Sequence, residues 1–183
     1  MTISLDGSEP FDSADMPRLI GKNSDLSTEA SKHVSHLGLG SYDFMELWLT
    51  TRPPDDNTNI HIQVGDGSYA TTNYNWTYGF YNLAASPVYG DAGAVSTDVI
   101  RLFNSVGGAV ATEFQAFHVK IHRSGTTVYF HWTGISVNAT ATHYGMWGSG
   151  SYHGGDMDRL RFFHDGATDS WSAGKYKFVG YTL

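Results

Sequence analysis

The chain has 183 residues and a mass of 20.1 kDa, enough for one well-buried core, and its 11 basic against 18 acidic residues leave a net charge of −7. That balance argues against a groove for nucleic acid, because such affinity rests on basic side chains that displace counterions from phosphates. At 40% hydrophobic and 14% aromatic the chain is too apolar to be disordered, its 21 glycines point to many tight turns, and with no cysteine its fold must hold by packing.

In chain order, residues 1–40 read as an extended N-terminal arm. Asp6, Glu9, Asp12 and Asp15 precede the first basic residue, Arg18, and Pro10 and Pro17 interrupt any helix there. No basic start leads into an apolar run, and no apolar stretch of about 18 residues occurs, so neither a standard export signal nor membrane insertion is expected. Within 24–38, Leu26, Ala30, Val34 and Leu37 have helical spacing, but the Ser and His content also suits an edge strand, which is the preferred reading.

From Tyr42 the signals are those of strands. Residues 42–50 (YDFMELWLT) are aromatic and apolar, and Pro53-Pro54-Asp55-Asp56 ends any ladder. Ile60, Ile62 and Val64 alternate with His61 and Gln63 and run into a Gly65-Asp66-Gly67-Ser68 turn. Tyr74, Trp76, Tyr78 and Phe80 fall on one face of a further strand, and shorter strands are expected near 99–103 and 142–147.

A two-residue turn at Ser124-Gly125 would pair Ile121 with Val128, Val119 with Phe130 and Phe117 with Trp132, making one face of the hairpin wholly apolar. The same register sets His118 opposite His131 and His122 opposite Thr127 on the polar face. At the end of the chain Leu160 and Phe162, a polar loop at 165–170, then Tyr176 and Phe178 read as a closing hairpin. About eight to ten short strands without intervening helices predict an all-β fold, an antiparallel two-sheet β-sandwich of the jelly-roll type spanning 41–183.

Among candidate sites, nine histidines raise the question of a metal. On a strand His118 and His122 stand about 13 Å apart and cannot share an ion. His118 and His131, opposite each other, could hold one only with a third ligand from His61, His143, His153 or an acid, and the reading preferred is sheet histidines with no metal and no cofactor. His118, His122 and His131 form instead a pH-sensitive surface patch, since protonation would set like charges side by side. Asp156 with Asp158, or Asp165 with Asp169, could bind calcium or act as a glycosidase pair, but turn-forming aspartates need no such role. With no G-x-S-x-G elbow, H-E-x-x-H, phosphate loop or dinucleotide fingerprint in the sequence, a non-enzymatic protein is expected. Tyr144, Trp147, Tyr152 and His153, with His143, crowd the glycine-rich segment 145–155, read as a loop, and loop aromatics beside glycines are what a sugar-stacking or protein-docking surface would use.

Two stretches carry a resemblance. Tyr42-Asp43, Met45-Glu46-Leu47, Ile60-x-Ile62-x-Val64 with Asp66-Gly67, and Tyr74 and Tyr78 resemble the opening of jelly-roll virion proteins of tailed bacteriophages. Leu160-Arg161-Phe162, Trp171, Gly174, Tyr176-x-Phe178 and Gly180-Tyr181 are similar to their closing stretch. The resemblance implies a virion structural protein, displayed on capsid or tail as an oligomer, commonly a trimer, with other virion proteins as partners. Attachment is then expected through the arm, at Phe11, Met16, Leu19 and Ile20. The alternative is a receptor-binding, lectin-like module of a tail fibre or spike that takes host-surface glycans.

Overall fold

The computed structural model describes residues 16–52, 58–82, 88–106, 114–137, 143–168 and 170–182. Two antiparallel sheets pack face to face. The larger has eight strands in the order β1 (Arg18–Asn23), β13 (Ala173–Tyr181), β3 (Phe44–Arg52), β9 (Phe114–Ser124), β10 (Thr127–Val137), β11 (His143–Tyr152), β6 (Tyr74–Asn82) and β7 (Val88–Thr97). The smaller runs β2 (His33–Leu37), β12 (Arg159–His164) and β4 (Thr58–Asp66), which also pairs with β5 (Ser68–Tyr69) and β8 (Ile100–Val106). Among the described residues the only helical elements are two short 3₁₀ turns, Leu26–Thr28 and Leu39–Ser41. The all-β sandwich is therefore present, with more strands than the eight of a simple jelly roll.

The core follows from period-two alternation. Met45, Leu47 and Leu49 on β3, Val119 and Ile121 on β9, Phe130 and Trp132 on β10, and Ile60, Ile62 and Val64 on β4 are all buried between the sheets. Each such side chain contributes about 1.5–3 kcal/mol by leaving water. Two polar contacts bolt one sheet to the other inside this apolar layer. The Trp132 indole N–H donates to the Leu102 carbonyl at 2.9 Å, and the Tyr74 hydroxyl donates to Val64 O at 2.8 Å while accepting from Val64 N at 2.9 Å. Opposite Trp132 stands Gly148, where a Cβ would lie 2.2 Å from the indole. The glycine is what lets so large a ring lie flat there.

Four expectations need correction. The hairpin between β9 and β10 pairs Ser124 with Thr127, so Gly125 and Thr126 form the turn. Gly125 has φ 59°, the conformation that the first central position of a tight hairpin turn favours glycine for. The shift is two residues, so the inward set stays inward, but the partners change. Trp132 faces Val119, His131 faces Lys120, and His118 faces Thr133 rather than His131.

The closing stretch is not a hairpin. β12 pairs with β2 and β4 while β13 pairs with β1 and β3, so the chain crosses from one sheet to the other between them. Their apolar sides still meet, with the Phe162 and Tyr176 rings 5.1 Å apart at 69°. Third, the glycine-rich segment is no loop as far as Tyr152, because β11 pairs through it with β10 and β6.

The arm, finally, does not extend to residue 40. β1 lines the edge strand β13, β2 lines β12, and Leu26, Val34 and Leu39 belong to the core. Ile20 packs against that core and Leu19 and Met16 are exposed, whereas Phe11 lies outside the described residues. Within 24–38, Asp25 caps the first 3₁₀ turn by accepting from Ser27 N at 3.0 Å, and the preferred strand is found at 33–37.

His36 closes this end of the sandwich. It faces inward from β2 among the rings of Tyr176 (5.4 Å) and Phe178 (5.2 Å), over Gly21, where a Cβ would lie 2.4 Å from its ring. Burial lowers its pKa to about 4, against a smaller opposing pull from Glu29. The unfolded chain therefore takes up a proton that the folded one refuses, and stability falls as pH drops from about 6.5 towards 4. Over that window the loss is expected to reach up to about 3 kcal/mol, and His36→Phe should flatten it in urea melts at pH 7, 5.5 and 4. Tyr74→Phe, which strips both contacts to Val64 from the interior, should cost about 1–3 kcal/mol in the same assay at pH 7.

Candidate functional site

What the core does not take, the ladders set out on the opposite face of the large sheet. Reading straight across paired positions, one row runs Lys22, Lys177, Trp48, His118, Thr133, Trp147, Gly79, Asp91, from β1 at one edge to β7 at the other. The neighbouring row contains Ile135, Gly145, Tyr81 and Tyr89, and the row on the other side His131, Ser149, Thr77 and Gly93. Trp48, Tyr81, Tyr89, Tyr129, Ile135 and Trp147 are all exposed here. Apolar side chains scattered singly over a surface need no explanation, but these six share one sheet face.

The two ends of the main row differ. Near β3, the Trp48 ring is taken up by neighbouring side chains, though part of it stays exposed. The His118 ring stacks on it at 4.9 Å and 10°, His118 Nε2 is 3.2 Å from a Glu46 carboxylate oxygen, and the Lys177 ammonium lies 5.7 Å from the indole centroid. Near β7 the aromatic surface is open. Trp147 lies down on β6 because Gly79 has no side chain, and a Cβ there would come within 2.8 Å of the indole. Tyr89, 62% exposed, approaches it with ring centroids 5.9 Å apart and planes at 32°. Between them is a cleft of about 280 Å³ whose polar margin includes Asp91, His131, Thr77 and Ser149.

The residues singled out from sequence are thus divided. Trp147 is on the open face, but Tyr144 packs against the core and Tyr152 is buried beside Tyr74, with ring centroids 4.9 Å apart. Even and odd positions of β11 point to opposite sides, so Tyr144 and Tyr152 cannot share a surface with Trp147. His153 follows the strand, held by Ser151 Oγ at 2.7 Å and Thr127 Oγ1 at 3.4 Å. His118, His122 and His131 do share the outer face, with His118 on Trp48, His122 beside Tyr129 (6.5 Å) and His131 at the cleft.

Those acidic candidates that are described have partners within the fold. Asp156 is 3.7 Å from an Arg123 guanidinium nitrogen, and Asp158 takes two bonds from Arg159, at 2.8 and 3.1 Å, and one from Gly67 N. Asp165 lies by the small sheet, accepting from Asn59 N at 2.7 Å with His61 Nε2 3.2 Å away. Its partial burial would raise its pKa, but the bonds from His61 and Asn59 outweigh that and hold it well below the usual carboxylate range. Asp169 lies outside the described residues.

Tyr89, Gly79 and Asp91 were missed. The signal was Ala92 and Ala94 packing inward with Tyr89, Asp91 and Val95 outward, an alternation muted by small residues. If Trp147 rests on Gly79 as described, Gly79→Ala should lift the indole and make tryptophan emission more readily quenched by acrylamide, with less than about 1 kcal/mol lost in stability. Unchanged quenching would place the ring elsewhere. No protein-family model, curated protein or solved structure matches this chain.

Proposed function

We propose that the protein is a non-enzymatic structural protein of a tailed-bacteriophage virion, displayed on capsid or tail as an oligomer, with the open face of its large sheet as the binding surface. The observation that carries the reading is that face, where Trp147, Tyr89, Tyr81, Tyr129 and Ile135 are spread across adjoining strands instead of being buried. A phage setting rests on the sequence resemblance, whose residues Met45, Leu47, Ile60, Ile62, Phe162, Trp171 and Phe178 all pack into one core. The histidine–carboxylate pairs fit a structural part, since His61 stacks on Phe163 at 5.2 Å and His118 on Trp48 at 4.9 Å.

Attachment to other virion proteins is assigned to the segment before β1, with Phe11 and Met16 as its apolar contacts. Leu19 and Ile20 support it from within β1. Host-receptor binding is the second reading, favoured by the cleft between Trp147 and Tyr89.

Mass spectrometry of purified virions from the source phage should detect the chain, and sedimentation of the isolated protein should give a multiple of 20.1 kDa, three chains being the expected number. A variant without residues 1–15 should keep the strand signature and melting point of the full chain yet be missing from virions. Incorporation of that variant at the full level would contradict attachment through this segment, and absence of the intact chain from virions would overturn the reading as a whole.

A further inference from the structure

We infer that the cleft between Trp147 and Tyr89 is a subsite for one ring of a neutral glycan, a hexose or N-acetylhexosamine unit, stacked on the Trp147 indole and hydrogen-bonded by Asp91. This deepens the reading of the outer face as the binding surface and rests on it.

Four features point to a sugar rather than to a protein side chain or an acidic ligand. The indole lies against the sheet, its lower side on Gly79 and 43% of the residue left accessible, so it offers the flat platform against which the C–H face of a pyranose packs. Tyr89 stands beside it at 32°, which makes an angled wall instead of a closed aromatic pair. The polar groups sit at the margin of the platform, where the equatorial hydroxyls of a stacked ring project. The Asp91 carboxylate accepts hydrogen bonds there, and the Ser149 hydroxyl either donates or accepts. Thr77 is oriented for the same work, because its hydroxyl proton is already directed to Ala92 O at 3.2 Å and its lone pairs remain.

Size and charge narrow the class. At about 280 Å³ the cleft falls just short of the roughly 300–1,000 Å³ of pockets that take drug-sized ligands, which suits a single ring of a longer chain with its neighbours in solvent. The charged carboxylate at the margin is Asp91, and no lysine or arginine lines the cleft. A sialic or uronic acid would bring its own carboxylate up to Asp91 with no guanidinium or ammonium to meet it, so acidic sugars are disfavoured. Of the lysines of this face, Lys22, Lys175 and Lys177 gather around Trp48 at the far edge, and Lys120 stands opposite His131 on β9, outside the lining of the cleft.

The test is an array of neutral oligosaccharides of glucose, galactose, mannose and N-acetylhexosamines printed beside sialylated and uronic-acid-bearing ones, probed with the full chain, followed by calorimetric titration of the best binders. Neutral sugars should be retained and acidic ones not. Trp147→Ala and Tyr89→Ala should each weaken binding by about tenfold or more, and Gly79→Ala, which displaces the indole without deleting it, should weaken it as well. Leu37→Ala, at an exposed position of the small sheet away from the cleft, should bind within about twofold of the parent chain. Retention of acidic sugars alone, retention of none, or full binding by Trp147→Ala would overturn the inference. Virion incorporation scored on the same variants separates the two claims. A chain that enters virions but retains no sugar defeats only this inference, and one absent from virions defeats the reading above.

Discussion

The seating of Trp132 between the sheets is the constraint from which the rest of the molecule follows. Its indole is wholly buried, its one polar atom is satisfied by the Leu102 carbonyl of the other sheet, and it fits because Gly148 stands opposite. Once Trp132 is inside, Phe130 and Val128 must be inside too, and Thr133, His131 and Tyr129 must be outside, since side chains alternate along a strand. Cross-strand pairing then carries this parity from β10 to β11, β6 and β7, and so delivers Trp147, Gly79 and Asp91 to the outer face. A one-residue slip anywhere along that path would bury the outer aromatics and expose the core.

Two glycines give the two tryptophans their places. Gly148 makes room for Trp132 on the inner side and Gly79 for Trp147 on the outer side, and both sit one strand away from the ring they accommodate. The same principle recurs at the other end of the sandwich, where Gly21 admits His36. There the ring is titratable, its Nε2 is buried without a hydrogen-bond partner, and packing is bought at the expense of stability in acid. Packing that depends on missing side chains explains part of the high glycine content, which turns alone do not account for.

Much of the sandwich was legible in the sequence because period-two alternation is a local signal. β4, β6, β9 and β10 carry it strongly and lie where it places them. What could not be read was pairing. The hairpin turn has two candidate positions around Gly125 that give the same faces, and only the pairing of Ser124 with Thr127 separates them. β12 and β13 look like a hairpin because both alternate, yet their greasy sides meet across the interior and their backbones pair in different sheets. β1 was concealed in an acidic, proline-punctuated segment by its brevity and its pairing with β13, a strand far away in sequence. The candidate site was half legible for the same reason. Trp147 stood out by composition, but its companions Tyr89, Gly79 and Asp91 come from strands that no local pattern joins to β11.

The central claim is that one side of the large sheet is a solvated aromatic surface and the other a dry core. Hydroxyl-radical footprinting of the intact protein, read residue by residue, tests it most directly. Trp147, Tyr89, Tyr129 and Tyr81 should oxidise rapidly, while Trp132, Trp171, Tyr74 and Phe130 stay protected until the protein unfolds. Rapid oxidation of Trp132 with protection of Trp147 and Tyr89 would mean that the strand parity is reversed, and the account would fail with it.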